Sequence, residues 1–251
     1  MGGKSRLVKT IIPMIPTDHT CYVEPFCGAG WVFFGKYPVK AEILNDADGE
    51  LVNFWRVIQN HLVEFIRHFQ WILVSREHFE NENKKDPATL TDIQRAVRYY
   101  YLQKLGFGGK THKRTFGTST TSRPRINFAN MESILLEAKY RLETVNLEHL
   151  DACDCIRRYD RPATFFYIDP PYWKTAGYAN PFTPEMYDEL RDTLASIKGR
   201  FILSLNDHKD VRRIFKQFKI KRVVTSYSVA NPRTAASKRG ASVGEVIIRN
   251  F

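Results

Sequence analysis

Cysteine is scarce in this chain, with four in 251 residues, at Cys21, Cys27, Cys153 and Cys155. That number cannot staple a chain of this length. No His or Cys cluster stands beside them at zinc-ligand spacing, so they read as buried, reduced thiols, and no metal site is expected. Long apolar runs are absent too. Nothing approaches the roughly 18 residues needed to span a bilayer, and there is no signal-peptide apolar core. The expectation is a soluble, cytoplasmic protein without a membrane partner. Acidic residues are outnumbered, 27 against 38 basic ones, leaving a net charge of +11. Such a balance suits a polyanionic partner, although it also serves solubility. The length allows one large domain plus an insertion.

The stretch Phe165-Phe166-Tyr167-Ile168-Asp169-Pro170-Pro171-Tyr172-Trp173 organises the rest. A short apolar run closed by prolines reads as a buried strand of a parallel sheet. It ends in an acid, two residues that cannot donate a backbone hydrogen bond, and two aromatics. The prolines fix their own φ and push the residue before them toward extended geometry. One tight turn thus offers a carboxylate, a rigidly placed carbonyl and an aromatic plane. An exocyclic amino group on a planar base needs two acceptors for its N–H bonds and a face to stack on. The same residues also suit a plain strand followed by an ordinary proline turn.

Earlier in the chain, Thr20–Phe26 is a strand candidate, followed by Cys27-Gly28-Ala29-Gly30 and an apolar helix start at Trp31. Strand, Gly-x-Gly turn and helix form the front half of a nucleotide-binding βαβ unit. Phe33 stands where a dinucleotide fingerprint has its third glycine, which argues against a pyrophosphate ligand. The next strand, Ala41–Asp46, ends in an acid 18 positions after Gly28, where such folds place the acceptor for ribose hydroxyls. Glu24, Gly28, Gly30 and Asp46 describe a pocket for a nucleoside-like cofactor carrying a cationic group, and adenosine with a sulfonium fits better than a diphosphate. At the start, Gly2-Gly3 would let backbone approach a ligand and Lys4 would bring a charge, or the segment is simply a frayed terminus.

Gly2-Gly3-Lys4, Phe26-Cys27-Gly28-Ala29-Gly30, Asn45-Asp46 and Asp169-Pro170-Pro171-Tyr172 resemble, in order and spacing, motifs X, I, II and IV of the Dam-like (D12 class) DNA adenine-N6 methyltransferases of phages and bacteria. The resemblance runs over nearly the whole chain. It implies a Rossmann-like methyltransferase sheet with helices on both faces, spanning 1–59 and 145–251, and an inserted, mainly helical target-recognition domain at 60–144. It implies S-adenosylmethionine as cofactor, S-adenosylhomocysteine as product, and double-stranded DNA as partner, for a monomer or weak dimer. By the same resemblance Asp169, Pro170, Pro171 and Tyr172 are catalytic. Lys4, Glu24, Phe26, Gly28, Gly30, Asp46, Asp151 and Asp169 hold the cofactor, with Asp154 the alternative to Asp151. Either of these two also suits a helix N-cap. The family has an aromatic residue four positions before the lysine, so either the pocket lacks that wall or the native start lies upstream.

Within the insertion, Ile58–Leu73 reads as one amphipathic helix, and Asp92 as the N-cap of another. Gly106-Phe107-Gly108-Gly109 then opens a glycine- and cation-rich stretch. It suits a hairpin or loop lying against phosphates and base edges, and equally a solvated loop. Its candidate DNA contacts are Lys110, Lys113, Arg114, Arg123 and Arg125. His112 stands where GATC-reading members carry arginine, so the target sequence is open.

Val145–Asp151 looks like a strand, Thr183 and Pro184 like a helix cap and first turn, and Phe201–Asp207 like a strand whose polar end lines the base pocket. Lys209, Arg212, Arg213, Lys216, Lys219, Lys221 and Arg222 make a basic helix face and edge. Two strands, 223–229 and 243–248, look like a closing antiparallel hairpin around a charged loop at 231–240 that is a candidate lid. The reaction expected is site-specific methylation of N6 of a flipped-out adenine in duplex DNA. An RNA adenine, cytosine N4, or a catalytically silent nucleic-acid binder on the same fold are the alternatives. Whether a partner endonuclease exists is left open.

Overall fold

The computed structural model describes residues 7–107, 114–118, 126–174, 182–226 and 242–251. Its strands are β1 (Cys21–Glu24), β2 (Ala41–Asn45), β3 (Asn146–Glu148), β4 (Thr164–Ile168), β5 (Arg200–Asn206), β6 (Lys219–Ser226) and β7 (Ser242–Arg249). They form a seven-stranded sheet in the order β3-β2-β1-β4-β5-β7-β6. The helices among the described residues are α1 (Val8–Ile11), α2 (Trp31–Gly35), α3 (Gly49–Asn60), α4 (Leu62–Phe69), α5 (Arg76–Lys84), α6 (Asp92–Leu105), α7 (Phe128–Leu142), α8 (Ala152–Tyr159), α9 (Pro184–Ser196) and α10 (Lys209–Ile214). None of them is long and apolar enough to cross a membrane. The chain divides into two units. One comprises Gly2–Asn45, Leu150–Ala176 and Pro181–Phe251, and the other chiefly Asp46–His149.

In the first unit, β1 pairs in parallel with β2 and β4, and β4 with β5. The glycine-turn strand and the Asp169 strand are therefore neighbours. All five residues of β4 are buried, which explains why it reads as an unbroken apolar run and not as an alternating one. The two faces of the sheet differ in chemistry. Val23, Ile43, Phe166, Ile168, Phe201, Leu203, Leu205, Val246 and Ile248 join residues of α8, α9 and α10 in one apolar cluster. The alternating positions face the other way, where the Tyr22 and Phe165 rings lie 6.1 Å apart and Lys36, just after α2, sits over the Tyr22 ring at 4.2 Å. That second face carries the buried polar side chains Glu24, Glu42 and Ser204.

Antiparallel β7 joins β5 to the edge strand β6. The closing hairpin is thus present, but β6 begins at Lys219 and not at Val223. Lys219, Lys221 and Arg222 consequently belong to a sheet edge, where charged side chains discourage further pairing, while α10 stops at Ile214. Thr183 caps α9 with Pro184 in its first turn, as expected.

In the second unit, the single helix expected over Ile58–Leu73 is two. The break is at His61, with φ −133° and ψ 34°, and α3 reaches back to Gly49. Leu51, Val52, Phe54, Trp55, Val57 and Ile58 are buried on α3 and Leu62, Phe65 and Phe69 on α4, and the Phe54 and Phe65 rings, 5.9 Å apart, both pack on Tyr100, so one run of apolar spacing continues across the break. Glycine at the first helical position hid the true start, although Asp48 caps it by accepting from the Glu50 and Leu51 N–H groups. The cap of α6 is Thr91, not Asp92. Thr91 and Gln94 exchange side-chain-to-backbone bonds in a capping box, which satisfies two N–H groups where Asp92 would satisfy one. The strand expected over Val145–Asp151 is only Asn146–Glu148.

Candidate active site

The chain leaves β1 through Pro25 and Phe26 and turns at Cys27–Gly30 into α2. The Gly30 N–H donates to the Cys27 carbonyl at 2.7 Å, and the Cys27 N–H donates to the Asn45 carbonyl at 2.8 Å, tying the turn to the end of β2. Gly28 and Gly30 have φ of +48° and +64°, a region that a residue with a Cβ enters only at a cost. A Cβ on Gly30 would meet the Phe34 ring at 3.0 Å, whereas one on Gly28 would meet nothing within 4 Å. The turn therefore packs tightly on its helix side and opens onto free space at Gly28. Such a space beside a helix N-terminus suits a nucleoside cofactor. Phe26 meets Phe182 edge-to-face at 5.5 Å.

Glu24 is 1% exposed. The Tyr22 hydroxyl donates to it at 2.6 Å, and the Phe33 N–H in the first turn of α2 donates as well. Burial, outweighing these two bonds, raises its carboxyl from 4.5 to about 8. Glu24 thus sits beneath the glycine turn and anchors it. The sign of the linkage follows. Because the folded pKa is the higher one, the native state holds a proton that the unfolded chain releases, so this group's contribution is fully present below about 4.5 and is lost as pH rises to about 8. We expect the melting temperature of the wild type to fall across that window, and Glu24→Gln to flatten the fall. An equally steep fall in the variant, followed by calorimetry, would remove Glu24 as its source.

Asp46 directly follows β2, and its Oδ1 accepts from the Asp48 N–H at 3.0 Å. The preceding Asn45 is fully buried, and its side chain donates to the Pro25 and Leu150 carbonyls and accepts from the Leu150 N–H. This brace brings the segment before α8 to the ends of β1 and β2. Asp151, next in line, is exposed and caps α8 by accepting from the Cys153 and Asp154 N–H groups. Asp154 lies in the first turn and pairs with Arg157 at 2.9 Å.

Asp169 stands at the carboxyl end of β4, next to β1, as a half-buried residue. The residues after it are fixed one by one. The Ser204 hydroxyl donates to Asp169 Oδ1 at 3.0 Å. The Tyr187 hydroxyl donates to the Pro171 carbonyl. The Tyr172 hydroxyl donates to Glu245 Oε1 at 2.6 Å. Asn206 accepts from the Trp173 N–H at 2.9 Å and donates to its carbonyl at 3.3 Å. Among the described residues none donates to the Pro170 carbonyl. Ser204, Asn206, Glu245 and Tyr187 were missed as individual residues in the sequence. The one available signal was the polar residues alternating with leucine in Leu203-Ser204-Leu205-Asn206.

In the second unit, Gly106 and Phe116 form an antiparallel bridge, flanked by bonds from the Phe107 N–H to the Thr115 carbonyl and from the Gly117 N–H to the Leu105 carbonyl, both 2.8 Å. Residues 105–107 and 114–117 therefore make the base of a hairpin. Phe116 packs edge-to-face on Phe79 at 5.5 Å. Arg114 lies over the Tyr99 ring at 5.7 Å, and burial lowers its pKa. Lys4, Lys110, His112, Lys113, Arg123, Arg125 and the 231–240 loop lie outside the described residues.

A glycine turn after one strand, and a carboxylate, a proline carbonyl and a tyrosine after its parallel neighbour, are the groups that a nucleoside cofactor and an amino group on a planar base require. The chain belongs to the D12 class N6 adenine-specific DNA methyltransferases, whose family profile matches residues 1–229. It is 27% identical over 223 residues to the Type II methyltransferase M.CviBI of Paramecium bursaria Chlorella virus NC1A, covering 85% of this chain and 84% of that one. It is 25% identical over 253 residues to the DNA adenine methylase of Haemophilus influenzae (92% and 86% covered), and 25% over 254 residues to that of Escherichia coli K12 (92% and 87%). The enzyme is thus an adenine-specific DNA methyltransferase, and membership of this class implies S-adenosylmethionine as the methyl donor.

Proposed function

We propose that this enzyme methylates N6 of an adenine extruded from duplex DNA at a specific sequence, with Asp169, Pro170 and Tyr172 acting on the base. The observation that carries the reading is Asp169 at the end of β4, beside β1 and its glycine turn, followed at once by an immobilised Pro-Pro-Tyr segment. The N6 lone pair is delocalised into the ring and is a poor nucleophile. Hydrogen bonds from its two N–H groups to the Asp169 carboxylate and the Pro170 carbonyl favour a pyramidal nitrogen. Those bonds strengthen as positive charge develops on nitrogen, so they stabilise the transition state more than the ground state. Holding the base in line supplies much of the remaining acceleration. Tyr172, its ring steered by the bond to Glu245, stacks on the extruded base and offsets part of a flipping cost of a few kcal/mol.

The cofactor, when bound, supplies an electrophilic methyl group. The open space at Gly28 and the acid after β2 support its placement there. Gly28, Gly30 and Phe26 form the wall, Asp46 accepts from the ribose, and Lys4 and Asp151 complete the proposed set. Glu24 contributes through the turn it anchors. The 46–149 unit is the proposed target-recognition domain, holding the hairpin over DNA. With Arg114 held against Tyr99, Lys110, Lys113, Arg123 and Arg125 become the preferred DNA contacts, Arg123 the preferred base reader. The proposed working form is a monomer or weak dimer in the cytoplasm.

The test is expression in a methylation-free host followed by sequencing with modified-base detection, beside an assay on duplex DNA, RNA and cytosine-only sites. N6-methyladenine at one recurring sequence is expected. Methylation of RNA or of cytosine instead would overturn the proposal.

A further inference from the structure

Ser204 is the fifth of the seven residues of β5 and is fully buried. Leu203 and Leu205 on either side belong to the apolar cluster under α8–α10, so the alternation of the strand turns Ser204 to the opposite face. There its Oγ lies 3.0 Å from Asp169 Oδ1 and 3.0 Å from the Tyr167 hydroxyl. Tyr167 lies in β4 and Asp169 one residue beyond its end, two positions apart, and Ser204 reaches both from the neighbouring parallel strand.

A count of protons sets the direction of this chain. A serine hydroxyl has one hydrogen, and an ionised carboxylate only accepts. The Ser204 hydrogen therefore goes to Asp169, and the Tyr167 phenol must donate to Ser204. Burial first, and the nearby Asp169 charge second, push the Tyr167 phenol well above its usual range, so it remains a donor at any working pH. Two further side chains of the same region hold the turn that follows. Asn206 and Glu245 are register partners across β5 and β7, and they take the Trp173 backbone and the Tyr172 hydroxyl respectively. They fix the backbone and the ring of the turn, whereas Ser204 touches the carboxylate itself.

We propose that Ser204 is a positioning residue for methyl transfer: its hydroxyl, held by Tyr167, arrests rotation of the Asp169 carboxylate so that this group meets the N6 amino group in the orientation that transfer requires. The proposal rests on the role of Asp169 given above. Its logic is geometric. A carboxylate pivots freely about its Cβ–Cγ bond, and a misplacement on the order of 1 Å at a reacting group can cost about a hundredfold in rate. A small hydroxyl among leucines on a buried strand is otherwise an unfavourable choice, since it has to be hydrogen-bonded to be tolerated there.

The test uses the full-length enzyme, measuring single-turnover methylation of duplex DNA, cofactor and DNA dissociation constants, and melting temperature. Ser204→Ala should slow transfer by about tenfold to a hundredfold while both dissociation constants stay within about twofold. Ser204→Cys, similar in size with a weaker donor, should fall between it and the wild type. Tyr167→Phe should cost less than Ser204→Ala, because the bond to Asp169 survives. Asp169→Asn combined with Ser204→Ala should be no slower than Asp169→Asn alone, since Ser204 works only through that group. If Asp169→Asn is inactive but Ser204→Ala runs at the wild-type rate, the proposal falls and the role of Asp169 stands. If Asp169→Asn itself runs normally, the functional reading fails first. Equal losses of rate and cofactor affinity in Ser204→Ala, or a further loss on the Asp169→Asn background, would mark a merely structural role and overturn the proposal. Should Ser204→Ala fail to fold, Ser204→Cys and Tyr167→Phe decide: unchanged transfer rates in both would overturn it.

Discussion

Replacing Asp169 by alanine is expected to lower the single-turnover rate of methyl transfer by about a hundredfold or more, with little change in DNA affinity. In the proposed mechanism the carboxylate acts on an amine at the end of β4 and not on phosphates. Its loss removes an interaction that grows as charge develops on nitrogen, and such losses appear in rate and not in binding. The substitution is also structurally mild. Asp169 is partly exposed, and the Pro171 carbonyl, the Tyr172 ring and the Trp173 backbone are each held by other residues, namely Tyr187, Glu245 and Asn206. Rapid-quench methylation with the variant saturated in cofactor and DNA is the measurement. A rate near that of the wild type would remove Asp169 from the chemistry.

Replacing Asp46 by alanine should have the second-largest effect, and on a different quantity. A carboxylate that accepts from ribose hydroxyls makes charge-assisted hydrogen bonds, worth roughly 1.5–3 kcal/mol each. The cofactor dissociation constant should therefore rise by about tenfold to a hundredfold. Turnover at saturating cofactor should change much less, since the contact is as good before transfer as during it. Asp46 also accepts from the Asp48 N–H, next to the start of α3, so a general loosening of that turn has to be separated from loss of the ligand contact. Asp46→Asn makes the separation, because its side-chain oxygen can keep the turn while the charge is gone. Calorimetric titration with S-adenosylmethionine reads both variants. An unchanged dissociation constant in Asp46→Ala would confine Asp46 to a structural role.

Much of this protein was legible before any coordinates. The apolar run before Asp169 announces a central parallel strand because such a strand is buried on both faces, and β4 is buried throughout. The glycines at 28 and 30 announce a turn next to a helix because only glycine enters positive φ cheaply. Thr183-Pro184 announces a helix start through local chemistry that no distant residue has to supply. These features are decided within a few residues, so a few residues suffice to read them.

What tertiary structure alone decided lies between residues far apart in the chain. His61 breaks what reads as one helix although Phe54 before it and Phe65 after it pack on the same Tyr100 ring, so the apolar periodicity runs straight through a break that only the backbone shows. Glu24 reads as a ligand for the cofactor, yet its burial and its bonds to Tyr22 and Phe33 make it the anchor beneath the glycine turn. Arg114 reads as a free cation until it is found over the Tyr99 ring. Most of all, the residues that hold the Asp169 turn come from 16 to 73 positions downstream of the groups they hold, Tyr187 on Pro171 and Glu245 on Tyr172. A serine, an asparagine and a glutamate in late strands carry no sign of that role, since a hydrogen bond between distant residues exists only once the sheet has set β5 beside β4 and β7 beside β5. The sequence by itself determined the chemistry at the ends of β1 and β4. Only the assembled sheet decided which side chains hold that chemistry still.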